Sequence, residues 1–230
     1  MLKHGLPSPT DYDDIAERYA DGVDSRTWNA LYERPNTLAL LPDVKDRDVL
    51  DAGCGNGWYA DWLATRGARV IAVDRSERMV DIARNRLGDR ARVFASDLSD
   101  LSLEPASLDL VVSSLVLHYI PNLYRAFSAI ARALRPGGTF VFSTYHPATP
   151  GSKLSLETRL VEEHWKWIGT MRFYERPLSG LTEPLADAGF VIERMREPLP
   201  SEEVRQRDPT AYKRLSANPA FLFVRARKDE

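Results

Sequence analysis

The run Val49-Leu50-Asp51-Ala52-Gly53-Cys54-Gly55-Asn56-Gly57 places three glycines at alternate positions behind an acid. An apolar β-type stretch leads into it and a helical stretch from Trp58 to Arg66 leads out. Glycine has no Cβ, so it holds positive φ and lets a ligand approach the main chain. A strand that passes through such a turn into a helix leaves free N–H groups at the carboxyl edge of a sheet, where nucleotide-like ligands bind. The spacing is G-x-G-x-G, not the G-x-G-x-x-G of dinucleotide enzymes, and no Lys-Ser or Lys-Thr pair follows as in a phosphate-cradling loop. Asp74 ends the apolar run Val70-Ile71-Ala72-Val73, 21 residues after Gly53. A carboxylate there can accept hydrogen bonds from both ribose hydroxyls. The same spacing suits NAD, so Asp74 alone leaves the nucleotide open.

Two histidines could move protons. His118 lies in Ser113-Ser114-Leu115-Val116-Leu117-His118-Tyr119-Ile120, just past an apolar strand, and His146 lies in Ser143-Thr144-Tyr145-His146-Pro147, just past another. Strand ends of one polarity face one cleft. An unperturbed imidazole titrates near ~6.5 and can take a proton from a hydroxyl or ammonium group at neutral pH. Tyr119 is a third candidate. A packed, hydrogen-bonded role is the alternative for each.

These residues need a frame. Apolar runs and helical periodicities alternate: strand 48–51, helix 57–66, strand 69–73, helix 76–87, strand 91–95, strand 109–113, helix 121–135 and strand 138–145. Such alternation implies a parallel α/β sheet with helices on both faces and right-handed crossovers. Two helical stretches, 11–21 and 24–41, precede it. Residues 146–178 break the pattern; helix 179–188, strand 189–195 and a last strand 220–227 follow. The charged, proline-broken stretch 196–219 reads as a surface connection.

At 230 residues one domain is expected, with a sizeable core. The formal net charge of −2 argues against affinity built on phosphate neutralisation, and so against a nucleic-acid partner. Cys54 is the single cysteine, which excludes an intrachain disulfide and a cysteine-cluster metal site. The opening MLKHGLPSPTDYDD is polar, unlike a secretory leader, and no apolar run reaches the ~18 residues of a membrane helix. A cytoplasmic chain without membrane or metal partners is expected, as monomer or homodimer.

From Asp48 to Tyr145 the sequence resembles the class I S-adenosylmethionine (SAM) dependent methyltransferases, and specifically a type 11-like, small-molecule branch. The resemblance rests on five motifs in order: VLDAGCGNG; Val70 to Ser76; Val93 to Leu98; Leu108 to Ser114; and Leu134-Arg135-Pro136-Gly137-Gly138 with the strand after it. It implies a Rossmann-like seven-stranded sheet of order 3-2-1-4-5-7-6 with the last strand antiparallel. It also implies an N-terminal helical extension (1–45) capping the cofactor and an insertion after strand 5 (146–178) serving as a substrate lid, within a single domain of 1–230.

The resemblance further assigns residues. Gly53 and Gly55 lie under the methionine and ribose of SAM, and Asp51 is near the methionine amino group, with capping of local N–H groups at the strand end as its alternative. Asp74 holds the ribose. Arg75 and Met79 follow it, Met79 against adenine, with core packing as the alternative for Met79. Asp97 and Leu98 form the adenine pocket, with capping of the next segment as the alternative for Asp97. Ser114 and Tyr19 complete the cofactor set. Tyr12, Tyr145, Trp165 and Trp167, with Phe173 and Tyr174, would wall the acceptor. The implied reaction moves a methyl group from SAM to an O, N or C atom of a small molecule by in-line displacement, releasing S-adenosylhomocysteine (SAH). Positioning and exclusion of water do most of this work, and a general base is optional. The stretch after strand 4 lacks the Asn/Asp-Pro-Pro-Tyr signature of enzymes that methylate bases and amides. An RNA or protein methyltransferase and a non-catalytic SAM/SAH-binding module are the alternatives. A non-methylating SAM enzyme of the same fold also remains open. An NAD oxidoreductase is disfavoured by the glycine spacing and Asp97.

Overall fold

A computed structural model describes residues 9–147 and 156–229. The first eight residues of the expected cap, and Pro150 and Gly151 of the expected lid, lie outside the described residues. Seven strands form one sheet in the order β3-β2-β1-β4-β5-β9-β8: β1 (Asp48–Ala52), β2 (Arg69–Asp74), β3 (Ala91–Ala95), β4 (Leu108–Ser114), β5 (Leu134–Tyr145), β8 (Phe190–Arg196) and β9 (Phe221–Lys228). Strand β1 pairs in parallel with β2 and β4, so Asp51 stands beside Ala72 on one side and Val112 on the other. Strand β9 runs antiparallel to both β5 and β8. Renumbered by place among these seven, the order is the expected 3-2-1-4-5-7-6.

Helices cover both faces because the central strands are apolar on both sides. On one face α5 (Leu123–Ala133) and α6 (Ser179–Asp187) bury Phe127, Ile130 and Leu185 against Phe140 and Phe142. On the other, α2 (Arg34–Leu38), α3 (Trp58–Ala64) and α4 (Glu77–Leu87) pack over Val49, Val70 and Val112. Helix starts follow local chemistry: Ser76 caps α4 by accepting from the Met79 amide, and Asn122 caps α5 through the Arg125 amide.

The N-terminal helices are less regular than the periodicity suggests. A 3-10 turn (Tyr12–Asp14) opens into α1 (Ala16–Val23), and a π-helical turn (Trp28–Glu33) runs into α2. Residues 146–178 hold an unforeseen antiparallel ribbon, β6 (Arg159–Trp165) and β7 (Gly169–Glu175). Among the described residues no helix is long and apolar enough to cross a membrane.

The stretch 196–219 is not a bare surface connection. It forms α7 (Glu202–Arg207) and α8 (Pro209–Ala217), capped by Ser201 and Asp208. Val204, Ala211 and Leu215 are buried in the same core as Leu63 and Phe223. Charged outer faces hid this inner stripe. Leu215→Ala should lower stability by about 2–5 kcal/mol, the usual cost of emptying a buried leucine site; a urea midpoint within error of wild type would return the stretch to the surface.

Candidate active site

The carboxyl edge of β1, β2 and β4 opens into a cavity of about 120 Å³. The turn after β1 is its floor. Gly53 and Cys54 donate their amides to the Val73 carbonyl, which folds the turn back onto β2. Gly53 has φ +83°, and a Cβ there would overlap the Val116 methyls, so that glycine serves packing as well as conformation. Gly55 has φ +52° and differs: a Cβ there would meet no protein atom within 4 Å. Both line the cavity, and Gly55 leaves its main chain open to a ligand.

Asp74 ends β2 on the cavity wall. Its Oδ2 accepts from the Gly55 amide at 2.9 Å and its Oδ1 from the Ser76 amide at 2.9 Å. Burial raises its pKa above the ordinary carboxylate value, against the lowering effect of these amides. Arg75, Leu98 and Ser114 line the same cavity, as do Tyr12, Tyr19 and Tyr119. Asp97 does two things the sequence set as alternatives. Its Oδ1 accepts from the Ser99 amide at 2.8 Å, capping a 3-10 turn, and its side chain also stands on the cavity wall.

Several expected contacts fall elsewhere. Asp51 is 1% exposed beneath the turn and accepts from the Ala60 amide of α3 at 2.9 Å, outside the cavity lining. Burial pushes its pKa up to about 7. Met79 is 1% exposed in the core and does not reach the cavity; packing explains it. His118 and His146 line a separate cavity with Thr144 and Tyr145. His118 is 3% exposed, with Nδ1 3.4 Å from the Thr144 hydroxyl. Burial first, then the charge of Arg176, holds its pKa well below the ordinary imidazole value, so it does not titrate near neutrality as expected. His146 places Nε2 2.6 Å from a carboxylate oxygen of Glu197. Trp165 and Trp167 stack 6.4 Å apart on the ribbon and lie outside the cofactor-side cavity, as does Tyr145.

The roof was only partly legible. Tyr12 donates to the Tyr119 hydroxyl at 3.0 Å and packs edge-on against Tyr19. Asp13 accepts from the Ser76 hydroxyl and the Arg78 amide, tying the cap to α4 beside Asp74. Asp24 binds Arg34, Arg86 and Asn56 of the glycine turn. Thr10 and Arg18 bond the ribbon through Arg172 and Ile168. Buried Glu33 accepts from Thr37, Tyr59 and Ser143, and Ser143 in turn accepts from the amide of Leu115 on the cavity wall. Sequence reasoning missed Glu33, Leu115 and Val116. The apolar neighbours of Glu33 in Trp28-Asn29-Ala30-Leu31-Tyr32-Glu33 were the available signal.

An open glycine turn, an acid at the end of β2 and an acid after β3, all on one cavity of a seven-stranded sheet, define a nucleoside-binding α/β enzyme. A family model described as a methyltransferase domain matches residues 50–142. A solved SAM-dependent methyltransferase from Mesorhizobium loti shares 30% identity, covers 90% of this chain and 100% of that one, and superposes with TM-score 0.74. A probable SAM-dependent methyltransferase of Mycobacterium tuberculosis is 35% identical over 170 residues, 72% of this chain; the match spans 55% of that protein, about half its length. A malonyl-[acyl-carrier protein] O-methyltransferase of Serratia marcescens is 38% identical over 96 residues, 42% of this chain and 37% of that one. The chain belongs to the class I SAM-dependent methyltransferase family; it is an enzyme whose cofactor is SAM.

Two predictions follow from the carboxylates. Asp97→Asn keeps the cap, since asparagine also accepts from an amide, but it turns one acceptor into a donor. It should weaken SAH binding about tenfold or more, as for loss of a hydrogen bond to a charged group, with the melting temperature unchanged; equal affinity by titration calorimetry would leave Asp97 with capping alone. Asp51 has its folded pKa raised, so the native state holds more protons than the unfolded chain between 3.8 and about 7. Stability relative to Asp51→Asn should therefore fall as pH rises through that window; thermal melts that run parallel across it would contradict the assignment.

Proposed function

We propose that this methyltransferase acts on a small-molecule acceptor, moving the methyl of SAM to an O, N or C atom by in-line displacement in the cytoplasm. The observation that carries the reading is the roof. The cap and the β6–β7 ribbon are bonded to one another and close over the cavity with aromatic side chains: Tyr12, Tyr19, Tyr119 and, behind them, Tyr145, Trp165, Trp167 and Phe173. A covered aromatic chamber suits a small acceptor better than a folded macromolecule. The Serratia relative, an O-methyltransferase, lends support to oxygen as one acceptor atom.

In this reading the cofactor supplies the activated methyl. Gly55 offers its main chain, Asp74 and Asp97 receive the ribose and adenine, and Ser114, Leu98, Arg75 and Tyr19 complete the cradle. The cap and ribbon act together as a lid that excludes water and holds the acceptor's orientation. Tyr119 contacts the acceptor side. Burial raises the pKa of Tyr12, Tyr119 and Tyr145 well above the ordinary phenol value, so these hydroxyls act as hydrogen-bond donors and positioners at neutral pH.

A screen that reads SAH release should find turnover with small molecules and none with bulk RNA or protein; the reverse result would place the acceptor among macromolecules. Trp167→Ala loosens the lid where Arg26 stacks on Trp167 at 3.5 Å. It should reduce turnover of an identified acceptor by about tenfold or more, the scale of misplaced reactants, while SAH affinity by calorimetry stays within about twofold, near the additivity error for distant sites. A matching loss of SAH affinity would assign Trp167 to the cofactor side.

A further inference from the structure

The second cavity, of about 30 Å³, lies behind the aromatic layer that bounds the cofactor cavity. Consecutive residues split between the two: Tyr119 faces the first and His118 the second, with ring centroids 4.3 Å apart. Tyr145 lies 4.1 Å from His118 and walls the second cavity. One aromatic layer therefore separates this space from the site of methyl transfer.

Arg176 forms part of its wall and is 8% exposed. The guanidinium donates to the carbonyls of Leu117, Ile120 and Pro121, and it has no ion pair among the described residues. A buried charge normally has a counter-charge, because carbonyl dipoles alone repay little of the lost hydration. The carboxylates on this cavity are engaged elsewhere. Glu175 pairs with Arg159 at 2.7 Å, and exposed Glu163 accepts from the Trp165 indole at 3.0 Å. Three donors on Arg176 are committed to the loop, and a guanidinium has five. The cavity has room for about two water-sized groups, which is the size of a carboxylate. His118 and the Thr144 hydroxyl complete a polar lining beside the cation.

Building on the methyltransferase reading with a small-molecule acceptor, we propose that this cavity is an anion subsite in which Arg176 receives a carboxylate of the acceptor, with His118 and Thr144 beside it. The acceptor is then a small organic acid that enters between the Tyr119 and Tyr145 rings, which must part to let its reactive atom stand on the Tyr119 side while its carboxylate reaches Arg176. Arg176 also braces the Leu117–Pro121 loop that carries Tyr119, so filling the subsite orders the acceptor side of the cofactor cavity. Burial first, then the Arg176 charge, lowers the His118 pKa below the ordinary imidazole value, which leaves Arg176 as the cation of the subsite. Glu163 at the rim opposes entry of anions, which sets a sign for the test.

The test uses full-length protein saturated with SAH and carrying labelled histidine, titrated at constant ionic strength with acetate, inorganic phosphate or methylammonium. Acetate should move the His118 imidazole signals saturably in the millimolar range. Phosphate should bind more weakly, because it exceeds the cavity, and methylammonium should leave the signals in place. Arg176→Lys keeps the charge but loses the fork, and should weaken acetate by about tenfold, as for a lost charge-assisted hydrogen bond. Glu163→Gln removes a like charge at an exposed position without risk to the fold. It should tighten acetate by about two- to fourfold, the scale of one exposed ionic contact. An unmoved His118 signal in the folded wild type, or tighter methylammonium than acetate, overturns the subsite. Turnover of a neutral small molecule that gains nothing from an added carboxylate overturns it too, while leaving the small-molecule reading intact; methylation of macromolecules alone would defeat that reading instead.

Discussion

The site depends on one carboxylate bridging two turns. Asp74 accepts from Gly55 in the turn after β1 and from Ser76 at the start of α4. Both turns are short of internal partners at these amides, and an unpaired buried N–H is costly. The same side chain therefore fixes the glycine turn against the end of β2 and leaves an acid at the cavity wall. The Val73 carbonyl assists by accepting from Gly53 and Cys54. Any nucleoside entering the cavity meets main chain and carboxylate already in place, so little ordering remains at the moment of binding.

Around that bridge the chain uses buried acidic side chains as points of attachment. Glu33 and Asp51 are each 1% exposed. Glu33 takes three hydroxyl donors, from α2, α3 and β5, and through Ser143 it reaches Leu115, which holds φ +54° on the cavity wall. A non-glycine residue in the left-handed region persists only where surrounding bonds over-determine it. The double acceptance of the Leu115 amide by the Ser143 carbonyl and hydroxyl supplies that restraint. Asp24 does the comparable work for the cap, joining it to the glycine turn and to α4. Removing one partner from such a network costs more than the bond itself, since the remainder is left buried and unpaired.

Which parts were legible follows from range. Strands β1 to β5 and helices α3 to α5 show in apolar runs and in the caps Ser76 and Asn122, all set within a few residues. So do the cavity positions of Gly53, Gly55, Asp74 and Asp97, which ride on strand ends. Met79 and Asp51 lie off the cavity lining, in core packing and in a bond to the Ala60 amide, because a motif gives a position on an element and not the direction in which the side chain is buried. The two histidines were read from strand ends as cleft-facing bases. Rings from Tyr119, Tyr145 and Phe173 enclose His118 instead; Tyr145 comes from the end of β5 and Phe173 from β7, far along the chain. The ribbon itself left a trace, since Met171 and Phe173 alternate with Thr170 and Arg172, but the aromatic count drew attention to side chains rather than to period two.

The family match ends at residue 142, and that boundary has a physical meaning. Residues 50–142 contain the glycine turn, the acids and the strand ends that line the first cavity. The cap through Glu33, and the stretch from Tyr145 through Arg176, lie outside it and supply the roof, the aromatic layer and the buried cation. The family match and the cavity floor thus lie in one part of the chain and the aromatic roof in another. The two meet at Tyr119: its hydroxyl takes a bond from the cap, its ring packs at a tilt against His118, and its backbone belongs to the loop held by Arg176. Tyr119 is therefore the residue at which the cap, the second cavity and the loop after β4 are joined at the wall of the first cavity.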